Sequence, residues 1–218
     1  MGNANRRYKD SLFTMLFSDR ENLLSLYNAV NHSSYDDADI LQINTIENAV
    51  FMGVHNDVSF VVCSSLNLYE HQSTVNPNIP LRMLFYVTRL LSGEVSEERL
   101  FSKKRITIPR PKFLIFYNGT DKQPECREYR LSEMWDPADE ASDLELKVLQ
   151  LNINPGMNKG LKAACRILDE YMKFVDRVRA EYKRTDSLEE SLRSAISWCM
   201  DHNVLKDFLT KTSHTIKV

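Results

Sequence analysis

NDVSFVVCSSLNLYEHQ, residues 56–72, decides the fold of this chain. Two short apolar runs flank a polar centre, so the stretch reads as a β-hairpin with its turn at Ser64-Ser65. That turn sets Val61 against Leu68, Ser59 against Glu70, and Asp57 against Gln72. Opposed residues of an antiparallel pair share a face. Asp57, Glu70 and Gln72 therefore project from one side of the sheet, near one end. A four-residue turn keeps that sharing; only an odd-length loop or a bulge separates them. Asp and Glu are poor strand formers and costly to bury, so their presence here asks for a reason.

Two readings are open from the residues alone. In one, the two carboxylates repel unless a positive charge lies between them. A hard divalent cation supplies it, and oxygen ligands suit magnesium or manganese. Such a metal lowers the pKa of a bound water and stabilises charge on a phosphate being cleaved, with Gln72 beside it. In the other, Asp57 merely ends a strand and Glu70 sits on a solvated edge. The pattern D-x12-E-x-Q is short and occurs by chance.

Outward from the hairpin, residues 6–30 hold two apolar groups at helical spacing: Leu12, Phe13, Leu16 and Phe17, then Leu23, Leu24, Leu26, Tyr27 and Val30. Ser18 or Asp19 is placed to cap the second helix, with Glu21 in its first turn. From residue 40 the period changes to two, so ILQINTIENAVFMG reads as one or two strands. After the loop STVNPNIP, Pro80 opens a helix whose apolar side is read as Leu81, Leu84, Phe85, Thr88 and Leu91, ending at Gly93. FLIFY (113–117) is a strand closed by Asn118-Gly119. Residues 125–131 add an edge strand, and 144–154 another strand. Gly156 and Gly160 lead into one long helix over 161–183. A last amphipathic helix spans 187–202, with Leu188, Leu192, Ala195, Ile196 and Cys199 inward. The closing FLTKTSHTIKV reads as a helix that stops partway. A sheet of class α/β with helices around it follows. The expected organisation is a domain over 1–155 and a helical C-terminal extension over 156–218.

The 218 residues are 43% hydrophobic and 27% charged, with net charge −2, so a strongly basic DNA-binding module is disfavoured by composition. Charge is unevenly placed. RLFSKKRITIPRPK, residues 99–112, carries Arg99, Lys103, Lys104, Arg105, Arg110 and Lys112 and no acid. It reads equally as a solvated loop or a phosphate-contacting patch. The four cysteines form no CxxC pair, which argues against structural zinc or a disulfide framework. Neither a membrane-spanning run nor a secretory signal is visible, and the expected setting is the cytoplasm. No Gly-rich phosphate loop or small-molecule cofactor motif is present.

Asp57 at the start of one strand and Glu70-x-Gln72 at the end of the next resemble the Asp and Glu-x-Lys signature of the PD-(D/E)XK nuclease superfamily. NDVSF, LYEHQSTVNPNIPLRMLFY, PRPKFLIFYNGT and the opening RYKDSLFTMLF are similar to the Rpn family, the recombination-promoting nucleases of bacteria often labelled transposases. The resemblance covers nearly the whole chain. It implies a restriction-endonuclease-like αβββαβ core with a mixed sheet flanked by helices and a helical C-terminal region. It also implies a metal-dependent DNA endonuclease of the bacterial cytoplasm, using Mg2+, with Mn2+ or Ca2+ as substitutes. Asp57 and Glu70 become the metal ligands, and Gln72 takes the place of the superfamily lysine. Glutamine orients by hydrogen bonds but brings no charge. Arg82 is placed to reach a phosphate or steady the site, or to be a surface arginine. Lys103, Lys104 and Arg105 are the remaining candidates for DNA contact. Asp10 joins the metal shell or serves the dipole of its helix. His55 is read as a loop residue, His71 as facing away from Glu70, and Tyr69 and Tyr86 as packing. The expected partners are DNA and a second copy of the chain. The alternative is a nuclease fold that only binds DNA or protein.

Overall fold

The computed structural model describes residues 4–43, 58–136 and 142–212. In chain order the elements are α1 (Ala4–Phe17), α2 (Arg20–Asn31), β1 (Gln42–Ile43), β2 (Val58–Val62), β3 (Ser65–Gln72), α3 (Ile79–Glu94), α4 (Glu97–Leu100), β4 (Arg110–Tyr117), β5 (Cys126–Arg130), β6 (Lys147–Asn152), α5 (Lys159–Ala164), α6 (Arg166–Thr185), α7 (Leu188–Asp201) and α8 (Lys206–Thr212). The chain divides into two compact units, Met1–Asp36 with Ile153–Val218, and Asp37–Asn152. The two N-terminal helices thus group with the C-terminal ones, whereas the expectation placed them with the sheet. No helix among the described residues is long and apolar enough to cross a membrane.

The helical unit follows its sequence signals closely. Asp19 caps α2, its carboxylate accepting from the Asn22 amide at 3.0 Å. The core gathers Phe13, Leu16, Phe17, Leu23, Leu26, Leu168, Tyr171 and Val175, all fully buried. Phe13 meets Tyr171 edge-on, with ring centroids 5.7 Å apart. Ser187 caps α7. The expected single helix over 161–183 is two helices. Cys165 breaks it with extended backbone, φ −125° and ψ 92°. That residue is wholly buried, and its sulfur accepts from Ser25 Oγ at 3.7 Å. LKAACRIL contains no Gly or Pro, so packing rather than a local breaker makes the bend.

The sheet unit is a six-stranded mixed sheet in the order β1-β2-β3-β4-β6-β5. Strands β1, β2 and β3 form an antiparallel meander, β3 and β4 run parallel, β4 and β6 run parallel, and β5 pairs antiparallel at the edge. Helix α3 makes the crossover from β3 to the parallel β4. The expected strand from residue 40 is described only at Gln42–Ile43, since 44–57 lie outside the described residues.

Two expectations inside this unit are corrected. The hairpin turn is Cys63-Ser64, both with positive φ (46° and 62°), rather than Ser64-Ser65. Positive φ at both central residues matches the twist of the flanking strands. Ser65 instead joins β3 and pairs with Arg110, whose amide donates to the Ser64 carbonyl at 2.9 Å. The observed pairs are therefore Ser59 with Leu68 and Val61 with Leu66. The pairing slips by two residues, so the described side chains of β2 and β3 keep their expected faces.

The buried face of α3 is also rotated from expectation. Ile79, Met83, Tyr86, Val87 and Leu90 turn inward onto Leu66, Leu68, Phe113, Ile115 and Val148 of the sheet. Leu81 and Phe85 are exposed, at 37% and 46%. Two apolar stripes compete on this helix, and the sheet takes the one bearing Met83 and Tyr86. Gly93 lies within the last turn, and the helix ends at Glu94.

Candidate active site

β3 is buried along all eight of its residues, so a polar side chain on it must find partners within the protein. Leu66 and Leu68 face α3, and alternation carries Glu70 and Gln72 to that same face at the carboxyl end of the strand. Glu70 is 5% exposed and Gln72 7%. In register beside them stand Ile115 and Tyr117 on β4, then Gln150 and Asn152 on β6.

Arg82 lies in the first turns of α3, twelve residues after Glu70, and arches over the pair. Its Nη2 donates to Glu70 Oε1 at 2.6 Å. Gln72 Nε2 donates to the same oxygen at 3.2 Å. The arginine is fixed in turn by the Tyr86 hydroxyl, one helical turn on, at 2.6 Å from Nη2 and 3.2 Å from Nε. An i to i+4 pair on a helix is well placed for this. The side chain of Glu70 is 6% exposed and that of Arg82 39%, so the ion pair has one partner in the interior and one at the rim.

A second polar group lies on the same face. Gln150 is fully buried, and its Oε1 accepts from the Tyr129 hydroxyl at 3.3 Å. Its Nε2 has no hydrogen-bond partner among the described residues. Burial pushes the Tyr129 phenol pKa up, and Arg127, 4.4 Å above the ring, pulls against that shift. Close by, the Asn118 amide donates to the Gln72 carbonyl at 3.0 Å and Ser73 Oγ donates to Asn118 Oδ1 at 3.2 Å. This pins the β4 exit to the end of β3.

Of the residues picked from the sequence, the structure brings together Glu70, Gln72 and Arg82. Asp57 and His55 lie outside the described residues. Asp10 is on α1, in the helical unit. Lys103, Lys104 and Arg105 are exposed in the loop leading into β4. That loop meets β4 at Arg110, whereas Glu70 is level with Ile115, so the loop enters the strand about 17 Å along it from Glu70. His71 turns to the opposite face, as the alternation predicts, and at 4% exposed it is packed there rather than at the surface. Tyr69 packs edge-on against Phe60 and Phe116 on that opposite face. Tyr86 is packed as well, yet its hydroxyl holds Arg82. Gln150 and Tyr129 went unread, although the alternation in LELKVLQLNIN places Gln150 on the face of Val148.

The donors here are hard oxygens, which suit magnesium or manganese better than a softer ion. Of the expected acid pair, Glu70 is the member within the described residues, and Arg82 now supplies its positive partner. Among the described residues no group of three or more His, Cys, Asp or Glu side chains stands together in a way that could hold a metal ion. Set against known proteins, the chain matches no family model, no curated protein and no solved structure.

Proposed function

We propose that this chain is a magnesium-dependent DNA endonuclease built on a restriction-endonuclease-like core and linked to recombination or mobile elements. The observation that carries the reading is the buried carboxylate of Glu70 at the carboxyl end of a central strand, with Gln72 on its face and Arg82 2.6 Å away. Burying a carboxylate is costly unless it is paired and hydrogen-bonded, and it is usually retained for a purpose. The connectivity adds support: an antiparallel meander, a crossover helix, then a strand parallel to the third.

In this reading Asp57 and Glu70 would hold the ion, which when bound would supply a nucleophilic water and offset charge on the phosphate. Gln72 orients through its amide and adds no charge. Tyr86 holds the Arg82 guanidinium at the rim, where its fork can meet a phosphate of the scissile strand in two parallel hydrogen bonds. The guanidinium would then be divided between that phosphate and Glu70.

Plasmid nicking in magnesium tests the proposal. Wild type converts supercoiled DNA to the open circle, and Asp57→Ala and Glu70→Gln each fall to the level of buffer while melting as folded proteins. Equal nicking by wild type and both variants, or none by wild type in magnesium, manganese or calcium, overturns it. A second reading is a nuclease fold that binds without cutting. It is favoured by the occupation of Glu70 Oε1 by Arg82 and by Gln72 standing where a lysine would help the attack. DNA binding without nicking in the same assay selects it.

A further inference from the structure

We propose that Arg127 is a second phosphate-binding residue of the Glu70 site, held by Tyr129 and Gln150 to grip the DNA backbone a few nucleotides from the scissile phosphate. The inference rests on the reading of this face of the sheet as the DNA-facing one, and every residue in it belongs to the sheet unit. Glu70 is level with Ile115, Ile115 with Gln150, and Gln150 with Arg127. The four therefore form one row across four adjacent strands, on the face that α3 covers. Neighbouring strands lie about 4.8 Å apart, so Arg127 starts about 14 Å from Glu70 along the row. Nucleotides of one strand of duplex DNA rise about 3.4 Å each, so the span covers about four of them.

Arg82 and Arg127 are presented in the same way. The Arg82 guanidinium lies 5.6 Å from the centre of the Tyr86 ring and bonds its hydroxyl. The Arg127 guanidinium lies 4.4 Å from the centre of the Tyr129 ring. Each tyrosine is 2% exposed, so each guanidinium rests on a fixed floor. A guanidinium stacked on a ring loses little further freedom when its edge meets a phosphate. The Tyr129 hydroxyl is itself tethered, donating to Gln150 Oε1 at 3.3 Å.

What sets Arg127 apart is that no acid holds it. Alternation along β5 puts Arg127 and Tyr129 on the α3 face and Glu128 and Arg130 on the other. There Glu128 is taken by Arg130 at 2.7 Å and Lys147 at 3.9 Å. Arg127 is exposed, and among the described residues no carboxylate pairs with it. Gln150 points the same way. It is fully buried, and its Nε2 has no hydrogen-bond partner among the described residues. A buried amide with an unmet donor weakens a fold rather than supporting it. Its use is to fix the Tyr129 hydroxyl and, through the ring, the guanidinium above.

Binding of a short DNA duplex by the full chain, measured by fluorescence anisotropy over a range of salt, tests this apart from cleavage. It is run both without divalent metal and with calcium. Arg127→Ala is expected to weaken binding about five- to tenfold and to lower the slope of log affinity against log salt by about one. Arg127→Lys keeps the slope, because the charge remains, but binds less tightly for want of the fork. Tyr129→Phe keeps ring and charge, removes the tether, and gives a smaller loss at an unchanged slope. Arg130→Ala, on the opposite face, is expected to bind as wild type does. An Arg127→Ala protein with wild-type affinity and slope overturns the proposal, as does an Arg130→Ala protein that loses as much. A wild type that binds the duplex under neither condition overturns it too. Binding that depends on Arg127, in a wild type that does not nick plasmid, keeps this contact and removes the cleavage reading instead.

Discussion

The two ends of the parallel strands show opposite ways of carrying charge. At the carboxyl end of β3, one acid is buried, and Arg82 and Gln72 converge on a single oxygen of it. At the amino ends of β4 and β6, many charges stand exposed to solvent. A charge held in the interior depends on specific partners, and losing one strands the other. An exposed charge is screened and replaceable, so it acts only in number and at low salt. The buried end suits chemistry at fixed atoms.

The largest test of that contrast is Arg82→Met, which keeps an apolar stem and removes the charge. Removing one partner of a buried ion pair commonly costs about 3–5 kcal/mol, and the partial exposure of Arg82 puts the expected loss nearer about 2 kcal/mol. Glu70→Gln removes the buried charge itself and is expected to cost less, about 1 kcal/mol. Urea denaturation of the single and double variants measures the coupling. If Arg82→Met melts like wild type, the buried end is no different from the exposed one, and the contrast fails.

Gly119→Ala sharpens the same point through packing. A β-carbon there would run into the Tyr117 hydroxyl and the Ser73 carbonyl oxygen. Tyr117 is fully buried, and its hydroxyl donates to the Asp121 carbonyl at 3.0 Å, so neither neighbour can yield cheaply. An expected loss of about 1–3 kcal/mol follows from overpacking. Because Ser73 adjoins Gln72, nicking should fall along with stability. A variant that is destabilised but cuts at the wild-type rate would detach the Ser73–Asn118 clasp from the site.

Much of this was legible in the residues, and the failures share a cause. Period and caps marked the helices, as with Asp19 before α2, because those signals are local. Alternation placed Glu70 and Gln72 together, and the two-residue slip in pairing left them so, since faces depend on parity. The α3 face was misread because IPLRMLFYVTRLLSGE carries apolar residues nearly all round, and only the sheet selects among them. The break at Cys165 has no local marker; buried packing of its sulfur makes it. Gln150 was passed over because a lone amide in a strand reads as edge polarity. Its importance comes from Tyr129, twenty-one residues earlier on a paired strand.

The smallest expected effect belongs to the exposed end. Ser132 Oγ donates to Glu145 Oε2 at 2.7 Å, and the amides of Ser132 and Leu146 donate to Oε1 at 3.2 and 2.8 Å. The Ser132 hydroxyl holds the Glu145 carboxyl below its ordinary value, aided by the backbone amides. A lowered carboxylate pKa contributes stability that is present above the unfolded value and is lost as pH falls through the folded one. Ser132→Ala removes the leading cause, so the Glu145 titration, followed by NMR, should move up toward that of a free glutamate. Because Glu145 is open to solvent, the melting curve at neutral pH should hardly change. A large loss of stability in Ser132→Ala would mean that this end is locked like the other.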